Sequence, residues 1–163
     1  TQCICDVWIV SDYFVDNARP KFLTSPLSEQ PLEYDRYYPE QALAVEFNGW
    51  QHFMLTDKFR DKDALRQMKI RDLIKESLSV RAGVTLTVLT ADDLRPDTFP
   101  EKLPPHIRLN YVDRDGPYFK ALARLCSAYA AKAQAEMQNA LLSEVSATSQ
   151  AGSRGQPGWQ GQG

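Results

Sequence analysis

The chain has 163 residues, of which 43% are hydrophobic and 25% are charged, and its formal net charge is −2. This length supports one domain with a real core and an appendage, and the nearly balanced charge argues against a simple nucleic-acid coat protein. No apolar run approaches the ~20 residues of a membrane span and no leader of the signal-peptide type is present, so we expect no membrane association.

The cysteine content bears on the compartment. Three cysteines do not make an even disulfide framework, which favours a reducing environment. We therefore expect a cytoplasmic protein.

Charge is unevenly distributed along the chain. Residues 1–56 carry 3 basic and 8 acidic side chains, residues 57–81 carry 8 basic and 5 acidic ones, and residues 82–163 carry 8 of each. The positive charge is thus concentrated just after an acidic segment. A basic helix of this kind is either a solvated face laced with i,i+4 ion pairs or, beside a metal site, a surface that contacts phosphates.

The first 32 residues give weak structural signals. Residues 1–16 contain two short apolar runs, and their periodicity fits either a buried strand or a short helix. Residues 17–32 contain three prolines, which predicts a loop with little regular structure.

Two strands and a turn are predicted between residues 33 and 47. Apolar residues of strand type flank the sequence PEQ at residues 39–41, so Asp35 would lie on the first strand and Glu46 near the end of the second. Glu46 stands between two apolar residues. A carboxylate in that position is costly unless it is paired or binds a metal, which favours a functional role.

A third strand is predicted directly afterwards. Asn-Gly at residues 48–49 is a strong two-residue turn signal, because both residues tolerate positive φ, and the chain would return through residues 50–53. Three strands in a row would bring Asp35, Glu46 and Gln51 to one edge of a sheet. Two carboxylates and an amide oxygen are hard ligands of the kind that Mg²⁺ prefers.

Some of these side chains also have ordinary structural interpretations. Asp35 would be a turn or edge-strand residue, Gln51 would satisfy hydrogen bonds at the sheet edge, and His52 would be a core histidine. Their joint spacing is what favours a site.

A basic helix is predicted next. Residues 57–83 contain no proline and no glycine before Gly83, a natural residue to follow a helix end. The apolar residues of the segment form no single stripe, as in a helix packed on a sheet. Arg71 and Lys75 share one face, so one of them could point toward the acidic residues.

The segment from residue 84 to residue 117 contains a strand and a long connection. Residues 84–90 alternate and are β-branched, which predicts a strand that pairs beside the strand of Glu46 through the crossover helix. Residues 91–106 are rich in proline and predict a loop, whereas residues 107–112 predict one more edge strand.

A long helix closes the ordered part of the chain. Residues 118–147 are rich in alanine and carry apolar residues at steps of three and four, which predicts a helix about 45 Å long. The predicted organisation is a domain over residues 1–115, a helical appendage or interface over residues 116–147 and a disordered low-complexity tail over residues 148–163. The helix could pair with a second copy or a larger protein.

Residues 31–90 resemble a known family. The pattern YDxYxPE at residues 34–40, followed by ExNGxQHF at residues 46–53, is similar to the PD-(D/E)XK nuclease superfamily, closest to its very-short-patch-repair-like and phage or homing-type endonucleases. The resemblance implies an α/β, restriction-endonuclease-like fold: a mixed β-sheet core flanked by helices, here with a long C-terminal helix. It also implies hydrolysis of phosphodiester bonds, most often in DNA.

The resemblance also implies a set of site residues. Asp35, Glu46 and the backbone carbonyl of Phe47 would hold Mg²⁺, for which Mn²⁺ would substitute. Gln51 would orient the water or the phosphate, and His52 or a helix lysine would carry a proton or stabilise the transition state.

The position of the family's usual lysine differs here. It falls on Asn48, and related branches use a glutamine in that region or a lysine from the following helix. Lys75 is the candidate for that catalytic lysine, and Lys69, Arg71 and Lys75 are the candidates for contacts with nucleic acid.

Two alternatives remain open at this point. The first is a catalytically inactive nucleic-acid-binding module, since residues 46–53 are also similar to the RAP domain, an RNA-associated module. The second is a protein-interaction domain that works through the long C-terminal helix.

Overall fold

The computed structural model describes residues 2–49 and 62–152 of the chain. Its helices and strands, in chain order, are α1 (Gln2–Trp8), β1 (Val15–Ala18), β2 (Tyr34–Tyr38), β3 (Leu43–Phe47), α2 (Lys62–Arg81), β4 (Thr85–Leu89) and α3 (Pro117–Gly152). The predicted mixed α/β architecture with a long C-terminal helix is confirmed. Within these ranges, no helix combines the length and the apolar character that crossing a bilayer requires.

The four strands form one mixed sheet in the order β1-β2-β3-β4. β2 is antiparallel to both β1 and β3, whereas β3 and β4 are parallel to each other and place Glu46 beside Val88. Parallel neighbours need a crossover connection, and α2 lies between these two in sequence. The prediction that the strand at residues 84–90 pairs beside the strand of Glu46 is confirmed.

Helices cover both faces of the sheet. Leu43 and Val45 belong to a buried cluster with residues of α1 and α3, whereas Ala44 belongs to a cluster against which Ile74 and Leu78 of α2 pack. Successive residues of a strand point to opposite faces, so the two clusters lie on opposite sides of β3. The sheet therefore separates α2 from α1 and α3.

The sequence predicted a turn between β2 and β3 and a glycine at the end of α2, and both predictions are confirmed. The predicted turn at residues 39–41 is a 3₁₀ turn that joins β2 to β3. At the end of α2, Gly83 has a φ of +73°, and its N–H donates a hydrogen bond to the carbonyl oxygen of Val80 at 3.0 Å. Glycine has no Cβ to clash in this left-handed conformation. The predicted first residues of this helix, 57–61, lie outside the described ranges.

The predicted third strand at residues 50–53 also lies outside the described ranges. β3 has no free edge for such a strand, because β2 and β4 flank it on both sides. The strand that completes an antiparallel group of three is β1, which pairs with β2 and includes the first two residues of the predicted loop at residues 17–32. Glu46 therefore lies on an inner strand of the described sheet, whereas the position of Gln51 beside the two acids stays a prediction.

Residues 107–112 do not form the predicted edge strand. Only one isolated bridge forms there, between Leu109 and Ile9. The side-chain amide of Asn110 donates to a backbone carbonyl of α1 at 3.0 Å, and Ile107 is buried in the core. This segment is therefore held in place by a side-chain hydrogen bond and by a buried residue, and not by strand pairing.

The C-terminal helix continues past its predicted end. α3 has 36 residues, about 54 Å at the usual helical rise. Residues 148–152 are helical although their composition is polar and repetitive. No glycine or proline interrupts residues 118–151, so nothing in the local chemistry stops the helix before Gly152.

A buried hydrogen bond connects β2 to α2. Tyr34 and Ser79 are both fully buried, and their hydroxyl groups are hydrogen-bonded to each other. The Ser79 hydroxyl donates to the carbonyl oxygen of Lys75 at 2.7 Å, so Tyr34 must be the donor to Ser79. This chain of two bonds links the strand to the helical turn that carries Lys75.

We expect Ser79→Ala to lower the free energy of unfolding by about 1–3 kcal/mol, because it leaves the buried Tyr34 hydroxyl without its partner. The double variant Tyr34→Phe/Ser79→Ala should lose less than the sum of the single variants, since no hydroxyl is left unpaired. Urea denaturation measures all three. Ser77→Ala, at an exposed position of the same helix, is the control, and strictly additive losses would contradict the expectation.

Candidate active site

The end of β3 holds a buried carboxylate. Glu46 is only 8% exposed and lies in a strand whose other residues are apolar. α2 supplies its partner, because the ammonium group of Lys75 forms an ion pair with Glu46 Oε1, and both side chains are largely buried. Lys75 reaches this position because it precedes Ser79 by one helical turn on the face that packs on the sheet.

The surroundings of Glu46 favour protonation. Burial raises the pKa of Glu46 above its ordinary value of 4.5, and the charges of Asp35 and Asp72 raise it further. The hydrogen bond and the charge of Lys75 oppose that rise. Glu46 is therefore an acid that depends on a nearby cation to stay ionised.

The second acid, Asp35, lies where β2 and β3 separate. Arg36 and Val45 are the last paired residues of these two strands, so Asp35 and Glu46, the next residues along, are not paired. The N–H of Phe47 donates instead to Asp35 Oδ2 at 2.7 Å. This bond orients the exposed carboxylate toward the end of β3, so that the two predicted acids meet from neighbouring strands.

A pocket of about 490 Å³ brings these groups together. Among the residues that line it are both acids, two cations of α2 and the end of β3: Asp35, Glu46, Phe47, Asn48, Arg71 and Lys75. The sequence predicted that Arg71 or Lys75 would point toward the acids, and both line the pocket. Lys75 contacts Glu46 directly.

The remaining predicted residues are not all at this pocket. Lys69 lines an adjoining pocket of about 420 Å³, which shares Glu46 and Asp72 with the first. Gln51 and His52 lie outside the described ranges.

Two polar residues of the pocket were missed by the sequence reasoning. Asp72 and Gln67 both line the larger pocket. Asp72 precedes Lys75 by three positions, so helical spacing was the signal that could have identified it.

Asp35 and Glu46 fit a Mg²⁺ ion in number and chemistry. Mg²⁺ commonly takes only one or two protein carboxylates and fills its shell with waters and substrate phosphates. Over the described part of the chain, no group of three or more His, Cys, Asp or Glu side chains is placed to hold a metal. A cation bound between the two acids would take the place that the Lys75 ammonium now has beside Glu46.

The raised pKa of Glu46 gives a test by pH. The folded state binds this proton more readily than the unfolded chain, so the stability that protonation contributes is present below about pH 4.5 and is lost as the pH rises through the folded pKa. We expect the free energy of unfolding to fall less steeply in Glu46→Gln than in the wild type as the pH rises from about 4.5 through the folded pKa. Glu40→Gln, at an exposed position of the turn, should keep the wild-type slope, and parallel curves for Glu46→Gln would contradict the assignment.

The chain is similar to known proteins over part of its length. No family model matches it, and no solved structure matches it. It is 40% identical over 70 residues to uncharacterized protein 033L of Invertebrate iridescent virus 3, and 36% identical over 77 residues to uncharacterized protein 307L of Invertebrate iridescent virus 6. These matches cover 42% and 44% of this chain but 36% and 39% of the two viral proteins. The chain therefore spans well under half the length of these viral relatives.

Proposed function

We propose that this chain is a Mg²⁺-dependent endonuclease-like domain that hydrolyses phosphodiester bonds, with DNA as its favoured substrate. The observation that carries the proposal is the convergence of Asp35 from β2, Glu46 from β3 and Lys75 from α2 on one pocket. A buried acid with a raised pKa and a specific cationic partner in a cleft is typical of functional sites.

The connectivity supports a restriction-endonuclease-like core. The order helix, three strands, helix, strand, with the last strand parallel to the third, agrees with the core order of the nucleases that the sequence resembles. Asp35 on β2 and Glu46 on β3 lie on neighbouring strands of this core, as the sequence predicts.

Lys75 supports the role that the sequence assigns to a helix lysine. Asn48 stands where the family has its usual lysine, and it lines the same pocket as Lys75. Because Lys75 already reaches Glu46 from α2, a short displacement of its ammonium group would present it to a phosphate. The cation would then be supplied from the helix.

Each residue of the pocket would have a separate role in the reaction. Asp35 and Glu46 would hold Mg²⁺, which polarises the scissile phosphate and lowers the pKa of a bound water. The N–H of Phe47 fixes the orientation of the Asp35 carboxylate before substrate arrives. Lys75, released from Glu46, would donate a hydrogen bond to a phosphate oxygen and stabilise its developing charge.

Phosphate recognition would extend along α2. Lys69 and Arg71 are exposed and line the two adjoining pockets. Guanidinium and ammonium groups on one helix beside the acids would hold the nucleic-acid backbone while the acids hold the metal.

A second candidate is a catalytically inactive nucleic-acid-binding module similar to the RAP domain. Asn48 in the lysine position and the neutralisation of Glu46 by Lys75 favour it. Association through α3, as a homodimer or with a larger protein, is a separate prediction supported by the exposed Leu125 and Leu142 of that helix.

We expect Asp35→Asn to lower the rate of Mg²⁺-dependent cleavage of a plasmid by about 100-fold or more, because it removes a metal ligand without changing side-chain size. Cleavage should stop in EDTA and return with Mn²⁺. Glu40→Gln, an exposed acid at the other end of β3, is the control. An unchanged rate in Asp35→Asn would refute the mechanism, and wild-type binding without cleavage would support the inactive module.

We expect Lys69→Ala and Arg71→Ala each to weaken DNA binding by a similar factor for all sequences. Each should reduce the slope of log affinity against log salt by about 1, because each removes one phosphate contact. Fluorescence anisotropy over a salt series measures the slope. Lys120→Ala, on the first turns of α3, should leave it unchanged. Slopes identical to that of the wild type would exclude α2 as the phosphate-binding surface.

A further inference from the structure

A further cavity lies where α3 meets the end of β3. It has a volume of about 250 Å³, and its walls include Phe47, Gly49, Tyr129, Lys132 and Glu136. Phe47 also lines the pocket of the two acids, so one residue forms part of the boundary of both spaces. The two spaces lie on opposite faces of the sheet, so a strand bound at the acids would reach this cavity by passing around the end of β3.

One aromatic ring in the wall of the cavity is partly exposed to solvent. The rings of Tyr129 and Phe47 meet edge to face with their centroids 5.8 Å apart, which fixes the orientation of Tyr129. Tyr129 is still 48% exposed, although it is a large aromatic residue on a helix that packs on the core. A ring that has a fixed orientation and is partly exposed is a suitable surface on which a planar group can stack.

The charges at the cavity favour a neutral ligand over a phosphate. Lys132 and Glu136 lie four residues apart with 4.0 Å between Nζ and Oε1, and their formal charges cancel. Lys132 offers hydrogen-bond donors and Glu136 offers acceptors. A nucleobase is planar and neutral and carries both complementary groups on its edge.

Gly49 lines the cavity without a side chain of its own. Among the described residues, a Cβ atom built at Gly49 would meet no other atom within 4 Å. Side chains of the described residues therefore do not crowd the cavity at this point.

We propose that this cavity binds an unpaired nucleobase of the strand whose phosphate binds in the pocket of Asp35, Glu46 and Lys75, an inference that rests on the proposed function. The base stacks on Tyr129, and its edge faces Lys132 and Glu136. A base inside a duplex is stacked and paired and cannot enter such a cavity without leaving the helix. The substrate class is therefore nucleic acid that is single-stranded, or unpaired, at the cleaved position.

The test compares a fluorescein-labelled single-stranded oligonucleotide with the matching duplex in anisotropy titrations of the full chain in EDTA. We expect Tyr129→Leu to weaken single-strand binding by about tenfold, because it removes one stacking surface, and to leave duplex binding nearly unchanged. Tyr129→Phe keeps the ring and should bind as the wild type does. Ala133→Leu, which narrows the cavity without removing the ring, should also weaken single-strand binding selectively.

The outcomes separate this proposal from the proposed function. An equal loss for both substrates in Tyr129→Leu, or no loss in either variant, overturns the base site even if the wild type cleaves DNA. Selective loss of single-strand binding with no metal-dependent cleavage by the wild type supports the base site and overturns hydrolysis. A wild-type protein that neither binds nor cleaves overturns both.

Discussion

The buried carboxylate of Glu46 is the constraint on which the candidate site depends. Glu46 is only 8% exposed, and it lies where β3 pairs with β4 beyond the end of the β2 ladder. A buried carboxylate needs a cation, and Lys75 supplies it from α2. The ion pair is thus one of the contacts that hold α2 against the sheet and shape the pocket.

Local patterns were sufficient to predict the elements that carry this ion pair. The alternating residues at 84–90, the turn at residues 39–41 and Gly83 after α2 each have the chemistry of the structure that they adopt. Glu46 was identifiable because a charged residue interrupts an apolar strand. That Lys75 pairs with it, while Arg71 lines the same pocket, depends on how α2 packs on the sheet, which helical spacing alone does not fix.

Other features depend on contacts between distant parts of the chain. Asn-Gly at residues 48–49 is a local signal for a hairpin, but whether β3 has a free edge is decided by β4, which follows a whole helix later. The T-shaped contact between Phe47 and Tyr129 joins the site to α3, and no sequence pattern links the two residues. The bond from Phe47 to Asp35 likewise arises from the separation of two strands.

The hydroxyl of Ser79 has a consequence for how this fold tolerates change. It receives a hydrogen bond from β2 and passes one to the carbonyl of Lys75, so the strand that carries Asp35 also sets the axial position of the lysine. These contacts lie in the C-terminal half of α2, far from its first residue. A change in the length of the chain before α2 would therefore not by itself move Lys75 away from the acids.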